Sequence, residues 1–200
     1  MRTTLIALLA AAAALATAPA VASDVDRGRE IARAECIACH GEDGNSLAPT
    51  FPKLAGLQPE YLAKQLREYL DGKRTNEMMV PVLEKLTAAD VEPLAAWFAS
   101  QTMSRGAVSD PRLAQAGRAI YVDGNPDAGV PACMGCHLES GAGNPRFPRI
   151  AGQHPEYVLQ QMLQFKSGAR SNDRGRVMRT IAARMTEQEM KAVAEYVTGL

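Results

Sequence analysis

Apolar residues recur at helical spacing along much of the chain, and no run of alternating β-branched residues breaks in. The pattern predicts helices and few or no strands. From Pro59 to Leu70 the apolar and aromatic positions fall at 61, 62, 66, 69 and 70, one face of a helix, and Pro155 to Phe165 repeats that face. "DRGREIARA" predicts a short helix ahead of residue 36, and "PRLAQAGRAIY" another ahead of residue 133. Thr87 with Asp90, and Thr186 with Glu189, have the spacing of capping boxes. Each opens a last helix, carrying Leu94, Trp97 and Phe98 in one case and Val193, Tyr196 and Val197 in the other. Pro93 requires the first of these to start near Asp90 or to bend.

These paired patterns belong to a duplication. "FPKLAGLQPEYLAKQL" (51–66) aligns with "FPRIAGQHPEYVLQQM" (147–162) without a gap, and "DGKRTN" (71–76) continues onto "SGARSN" (167–172). After a three-residue insertion, "MMVPVLEKLTAADV" (78–91) meets "VMRTIAARMTEQEM" (177–190). Two all-α domains follow, 23–99 and 112–200, joined by the polar linker "SQTMSRGAVSDP" (100–111). Each half is small for an independent core, and domains of that size often depend on a metal or another staple.

The first 22 residues read as an address. An early cation (Arg2), an apolar run from Leu5 to Ala16 and "AVA" before Ser23 have the layout of a cleaved secretory signal. The run is short for a membrane span. An exported, periplasmic chain is the expectation. Removing 1–22 leaves 21 basic against 22 acidic residues. That balance gives no basic excess for nucleic acid and predicts little long-range steering of partners.

Four cysteines stand in two clusters, "CIACH" at 36–40 and "CMGCH" at 133–137. Two short disulfides are one reading in an oxidising compartment, but they leave His40 and His137 unexplained. A thioredoxin-like motif wants a βαβ setting that is absent, and zinc wants four ligands where each half offers three. Cys-x-x-Cys-His is the attachment signature of c-type haem. Spaced three apart, Cys36 and Cys39, and Cys133 and Cys136, reach one side of a helical turn. From there both sulfurs can form thioethers with the porphyrin vinyl groups, and His40 or His137 can meet the iron.

The repeat also selects a second axial ligand. Of nine methionines only Met79 and Met178 align with each other, whereas Met162, Met185 and Met190 align with non-methionine positions and read as core filler. Met79 and Met178 are the expected sulfur ligands, consistent with His/Met iron in cytochromes c. Met78 competes with its neighbour Met79. Around the sites, Pro49 and Pro145 are the first candidates to accept the histidines' other N–H, with Pro52 and Pro148 next. The matched cations Lys53/Arg149 and Arg74/Arg170 face haem propionates or solvent. Asn76 and Asn172 are candidates to orient the methionine loops, and His154, matched to Gln58, reads as a surface histidine.

With its two CxxCH motifs, the twice-repeated "FPKLAG/FPRIAG" and "PEY", the "G-x-R-x-N" elements and "GNPDAGVPACMGCH", the mature chain resembles the dihaem cytochrome c4 family. The resemblance implies two class I cytochrome c domains related by a pseudo-twofold, with two covalently bound haem c groups near their interface. It implies an exported electron carrier, soluble or loosely membrane-associated. Such a carrier would run between respiratory redox proteins, such as a quinol-oxidising complex and a terminal oxidase. The haem subunit of a dehydrogenase complex has the same sites. A dihaem peroxidase would instead need an open iron position and an acid–base group beside it.

Overall fold

A computed structural model describes residues 20–200, with side chains from residue 24 onward. The expected signal segment therefore lies outside the described side chains. Ten α-helices follow in chain order among the described residues: α1 (Ala20–Glu35), α2 (Ile37–His40), α3 (Pro59–Leu70), α4 (Val80–Leu83), α5 (Val91–Ala99), α6 (Pro111–Asp123), α7 (Met134–His137), α8 (Pro155–Ser167), α9 (Val177–Arg184) and α10 (Glu187–Thr198). The extended pairings among them are two isolated bridges, Asn125 with Val130 and Asn144 with Phe147. The first five helices repeat as the second five.

Local chemistry sets the ends of these helices. Prolines at Pro59, Pro111 and Pro155 open α3, α6 and α8, where the missing N–H has no helical partner to lose. Pro93 is accommodated the same way. A 3₁₀ turn at Ala88–Asp90 precedes α5, so Pro93 falls in the first turn and no bend is needed. The Asp90 carboxylate accepts from the N–H and the hydroxyl of Thr87, at 2.8 and 2.6 Å. Thr186 and Glu189 close the reciprocal box on α10.

Within each domain the first and last helices cross at a glycine. A methyl at Gly28 would overlap the Pro93 carbonyl, and one at Gly117 the Ala192 carbonyl. Pro93 and Ala192 are themselves matched in the repeat. The first core gathers Ala32, Leu62, Val91, Leu94 and Phe98. The second gathers Tyr121, Met162, Phe165, Met185, Met190, Val193 and Val197. Met162, Met185 and Met190 are buried there, as core filler should be.

The stretch 100–111 is docked along its length. Met103 is buried between Gly56 and Gly152, matched positions of the two domains. Lys53 Nζ donates to the Ser104 carbonyl (2.8 Å), and Gly106 N–H to Thr198 (3.2 Å). The buried Glu195 carboxylate accepts from the Ser109 hydroxyl and the Asp110 N–H, both at 2.9 Å, and from the Ser109 N–H. These five hydrogen bonds tie the connector to the first domain through Lys53 and to the second through Thr198 and Glu195.

Candidate haem sites

The sites are assembled by the one-turn helices α2 and α7. In each, the histidine N–H bonds back to the first cysteine's carbonyl, at 3.0 Å in the first motif and 2.9 Å in the second. That turn brings the two thiols and the imidazole onto adjacent faces. All four cysteines are half-buried, and none is joined to another in a disulfide. Burial, with Glu35 and Cys39 adding to it, pushes the Cys36 thiol up to about 12, and burial pushes Cys133 up to about 11.

Both histidines are buried, and burial holds each imidazole below its ordinary pKa, against the pull of a backbone hydrogen bond. His40 Nδ1 donates to the Pro52 carbonyl and His137 Nδ1 to that of Pro148, each at 2.9 Å. A neutral ring donating through Nδ1 presents Nε2 as a lone pair, the form a metal binds. Phe51 and Phe147 stand edge-on to the rings, at 6.4 and 6.1 Å between centroids.

Pro49 and Pro145, the first choices for these acceptors, are not the partners. Each lies exposed in a tight turn, closed by Phe51 N–H to Ala48 (3.0 Å) or Phe147 N–H to Asn144 (3.1 Å). The turn carries their carbonyls outward and brings the next proline under the ring. Tyr121 adds support in the second domain alone, its hydroxyl donating to the Leu138 carbonyl at 2.6 Å, directly after His137.

Met79 is half-buried at the cap of α4, while Met78 is 65% exposed. Met178 is the second residue of α9 and packs, like Cys133, against the second core. Asn76 does orient its loop, its side-chain oxygen accepting from Met78 N–H (2.9 Å) and its carbonyl from Met79 N–H (3.0 Å). Asn172 does something else. It accepts from Arg170 Nε (3.0 Å) and donates across the interface to Gln65 (2.9 Å) and Glu68 (2.6 Å).

Arg74 and Arg170 are the centre of that interface. Arg74 donates to Gln65 of its own domain (2.7 Å) and to Tyr157 (3.1 Å) and Gln161 (3.2 Å) of the other. Arg170 repeats the figure with Gln161 (2.7 Å), Tyr61 (3.1 Å) and Gln65 (3.1 Å). Residues 61, 65 and 74 match 157, 161 and 170, so the network is crossed about a pseudo-twofold. His154 belongs to the same interface. Its Nε2 lies 3.0 Å from the Ser46 carbonyl and hydroxyl, while its match Gln58 donates to Ala142 (2.6 Å). It is therefore no free surface histidine. Lys53 is also buried, and Arg149 Nε reaches the Ala151 carbonyl (3.3 Å).

These residues fit two haems. Arg170 is buried, yet its hydrogen-bond partners are all neutral. Burial pushes the Tyr61 hydroxyl up, but Arg170 and Arg74 beside it pull it below its usual range. A buried guanidinium needs an anion, and a porphyrin brings two carboxylates. By contrast, no three His, Cys, Asp or Glu side chains among the described residues converge on one point, as a bare metal site would require.

A family profile for cytochrome c matches residues 25–102 and again 114–200. With the helical duplication and the two CxxCH turns, this defines a two-domain c-type cytochrome carrying covalently bound haem c. Cytochrome c4 of Thiocapsa roseopersicina is 45% identical over 188 residues, spanning 92% of this chain and 96% of that protein. The crystal structure of reduced recombinant cytochrome c4 from Pseudomonas stutzeri superposes with a TM-score of 0.84 at 39% identity, covering 88% of this chain and 98% of that one. A thiosulfate dehydrogenase electron acceptor of Thiomonas intermedia is 38% identical over 170 residues, 83% of this chain and 78% of that protein. The chain belongs to the cytochrome c4 family. It is an electron-transfer protein with redox partners, and not an enzyme.

The side chains that join the two domains leave little local mark in the sequence. Tyr61/Tyr157 and Gln65/Gln161 were visible as matched polar residues on otherwise apolar helix faces. That combination was the available signal.

Proposed function

We propose that Cys36 and Cys39 hold one haem by thioether bonds and Cys133 and Cys136 the other, with His40 and Met79, and His137 and Met178, as the axial ligands. Each iron supplies one-electron redox chemistry at the positive potential that methionine ligation favours. The chain's own residues do the rest. Pro52 and Pro148 fix the imidazole tautomer, so Nε2 faces the iron at no proton cost. Arg74 and Arg170 meet haem carboxylates where the two domains touch. Lys53 and Met103 hold that junction closed, which keeps the distance between the two sites constant as electrons pass. The paired Nδ1–carbonyl bonds, both 2.9 Å, are the observation that carries this reading.

In the cell the carrier runs between a quinol-oxidising complex and a terminal oxidase, in the periplasm after removal of residues 1–22, free or loosely held at the membrane. The domains are 23–99 and 112–200, with 100–111 as the connector. A second reading is supported by the Thiomonas relative: acceptance of electrons directly from a dehydrogenase partner. Copurification with such a partner separates the two. The ligand set is tested by potentiometric titration of the haem-loaded protein with Met78→Leu, Met79→Leu and Met178→Leu. The wild type and Met78→Leu should give two waves at positive potential. Met79→Leu and Met178→Leu should each drop one wave and lose half of the methionine-to-iron charge-transfer absorption. Two unshifted waves in Met79→Leu would remove that residue from the ligand set.

A further inference from the structure

The balanced total charge conceals two opposed halves. Residues 23–99 hold nine basic and thirteen acidic side chains, net −4, while 112–200 hold eleven and eight, net +3. The expectation of weak steering, drawn from the near-zero sum, does not describe either end of the molecule.

The positive charge gathers around the second methionine. Between residues 166 and 184 stand Lys166, Arg170, Arg174, Arg176, Arg179 and Arg184 against one acid, Asp173. Arg170 is spent in the domain interface, and Arg179 pairs with Asp173 at 2.6 Å. The others face out. Arg174 and Arg176 are exposed and make no ion pair among the described residues. Arg184 and Lys166 are exposed too, and meet only the backbone carbonyls of Gly129 and Met185. A recess of about 450 Å³ opens there, lined by Phe165, Lys166, Arg176, Arg179, Thr180 and Arg184. Cys133, His137 and Met178 are not among its walls.

The matched face of the first domain has another character. Residues 71–85 carry three acids (Asp71, Glu77, Glu84) and three bases (Lys73, Arg74, Lys85), with Met78 65% and Val80 48% exposed. Duplication supplied the same loop twice, and only one copy became cationic.

We propose that the methionine face of the second domain is the docking surface for an acidic electron-transfer protein, one that presents carboxylates around its own redox centre. This rests on the ligation by Met178 proposed above, which makes that face an edge through which electrons pass. Four outward cations on one end act within a Debye length of about 8–10 Å, enough to orient an approaching anionic partner before contact. A lipid surface is the weaker occupant, because peripheral membrane binding wants apolar groups beside the cations. Among the described residues the exposed large apolar side chains are Ile37, Leu47, Met78, Val80, Val108 and Leu138, none of them between 166 and 184.

The test uses the haem-loaded full chain and the variant Arg174→Gln/Arg176→Gln/Arg184→Gln. Each is reduced and mixed in stopped flow with oxidised plastocyanin, an acidic copper protein, from about 10 mM to about 0.5 M salt. The wild-type bimolecular rate should fall by roughly tenfold or more across that range. At low salt the variant should be at least about fivefold slower than wild type, converging with it at high salt. A Lys73→Gln variant of the first domain should track wild type. Equal rates for wild type and triple variant at low salt overturn the proposal. So does a variant that keeps the plastocyanin rate while losing cosedimentation with phosphatidylglycerol vesicles, since the cluster then serves lipid. Visible spectra of all proteins report methionine ligation independently, so a failure there is told apart from a failure of docking.

Discussion

Substituting Gly117 by alanine gives a sign test of the helix crossing that underlies each domain. In an open helix the change stabilises, because alanine exceeds glycine in helix propensity by about 1 kcal/mol. Here the added methyl would overlap the Ala192 carbonyl and stand 2.9 Å from the Val193 nitrogen, both backbone atoms of α10 that cannot rotate away. Relief requires α6 and α10 to separate, loosening Tyr121, Met190, Val193 and Val197, which are all buried. Overpacking of this kind costs about 1–3 kcal/mol, and moving several buried side chains puts the site at the upper end. The net expectation is a loss of about 1–2 kcal/mol. Gly135→Ala is the control: nothing lies within 4 Å of the added methyl, and the first motif already has alanine (Ala38) at that place. Guanidinium unfolding of the haem-loaded protein, followed by helical circular dichroism, should show Gly117→Ala lowering the second-domain midpoint by roughly 0.3–1 M. Gly135→Ala should leave it unchanged or raised. A Gly117→Ala protein as stable as wild type would falsify the close crossing.

Two further outcomes follow from charged groups. The Thr186 N–H and then the Asn125 amide hold the Glu189 carboxyl below its usual range. Its contribution is therefore fully present above the unfolded value of about 4.3 and is lost as pH falls through the lower folded value. Glu189→Gln should cost about 1 kcal/mol at neutral pH and flatten the acid limb of a stability–pH curve below about pH 4.5, with an unchanged limb counting against the assignment. Arg170→Gln removes a buried positive charge that favours the reduced haem, so at least one potential should fall, on the order of tens of millivolts, in a potentiometric titration. Two unshifted potentials would mean that Arg170 meets no haem carboxylate.

Most of what was legible in the sequence is local. The apolar spacing of 59–70 and 155–165 became α3 and α8, and both threonine–carboxylate pairs became helix starts. Even Pro93 was readable, because its demand on α5 is steric and immediate. The cysteine–histidine turns were legible for the same reason, since five consecutive residues carry the whole signal. The proline acceptors were not. His40 reaches a residue 12 positions on and His137 one 11 positions on, and the repeat pairs Pro49 with Pro145 as readily as Pro52 with Pro148, so neither spacing nor register chooses between them. Which of two nearby prolines meets the ring depends on a tight turn between them, closed by a backbone bond that leaves no mark in composition.

The interface was least legible because its meaning lies in pairs drawn from different copies. Gln65 alone is a polar residue on a helix; only beside Arg170, Arg74 and Asn172 does it become a shared acceptor. The crossed bonds also explain why the repeat diverged where it did. Tyr61/Tyr157, Gln65/Gln161 and Arg74/Arg170 must satisfy both domains at once, so a change in one copy strands a buried donor in the other at about 1–3 kcal/mol. Residues 174–184 carry no such bond across the interface, and there the copies part in charge. Symmetry was held in the crossed tyrosine–glutamine–arginine network and released where the methionine loops face outward, which is where two different redox partners would have to be told apart.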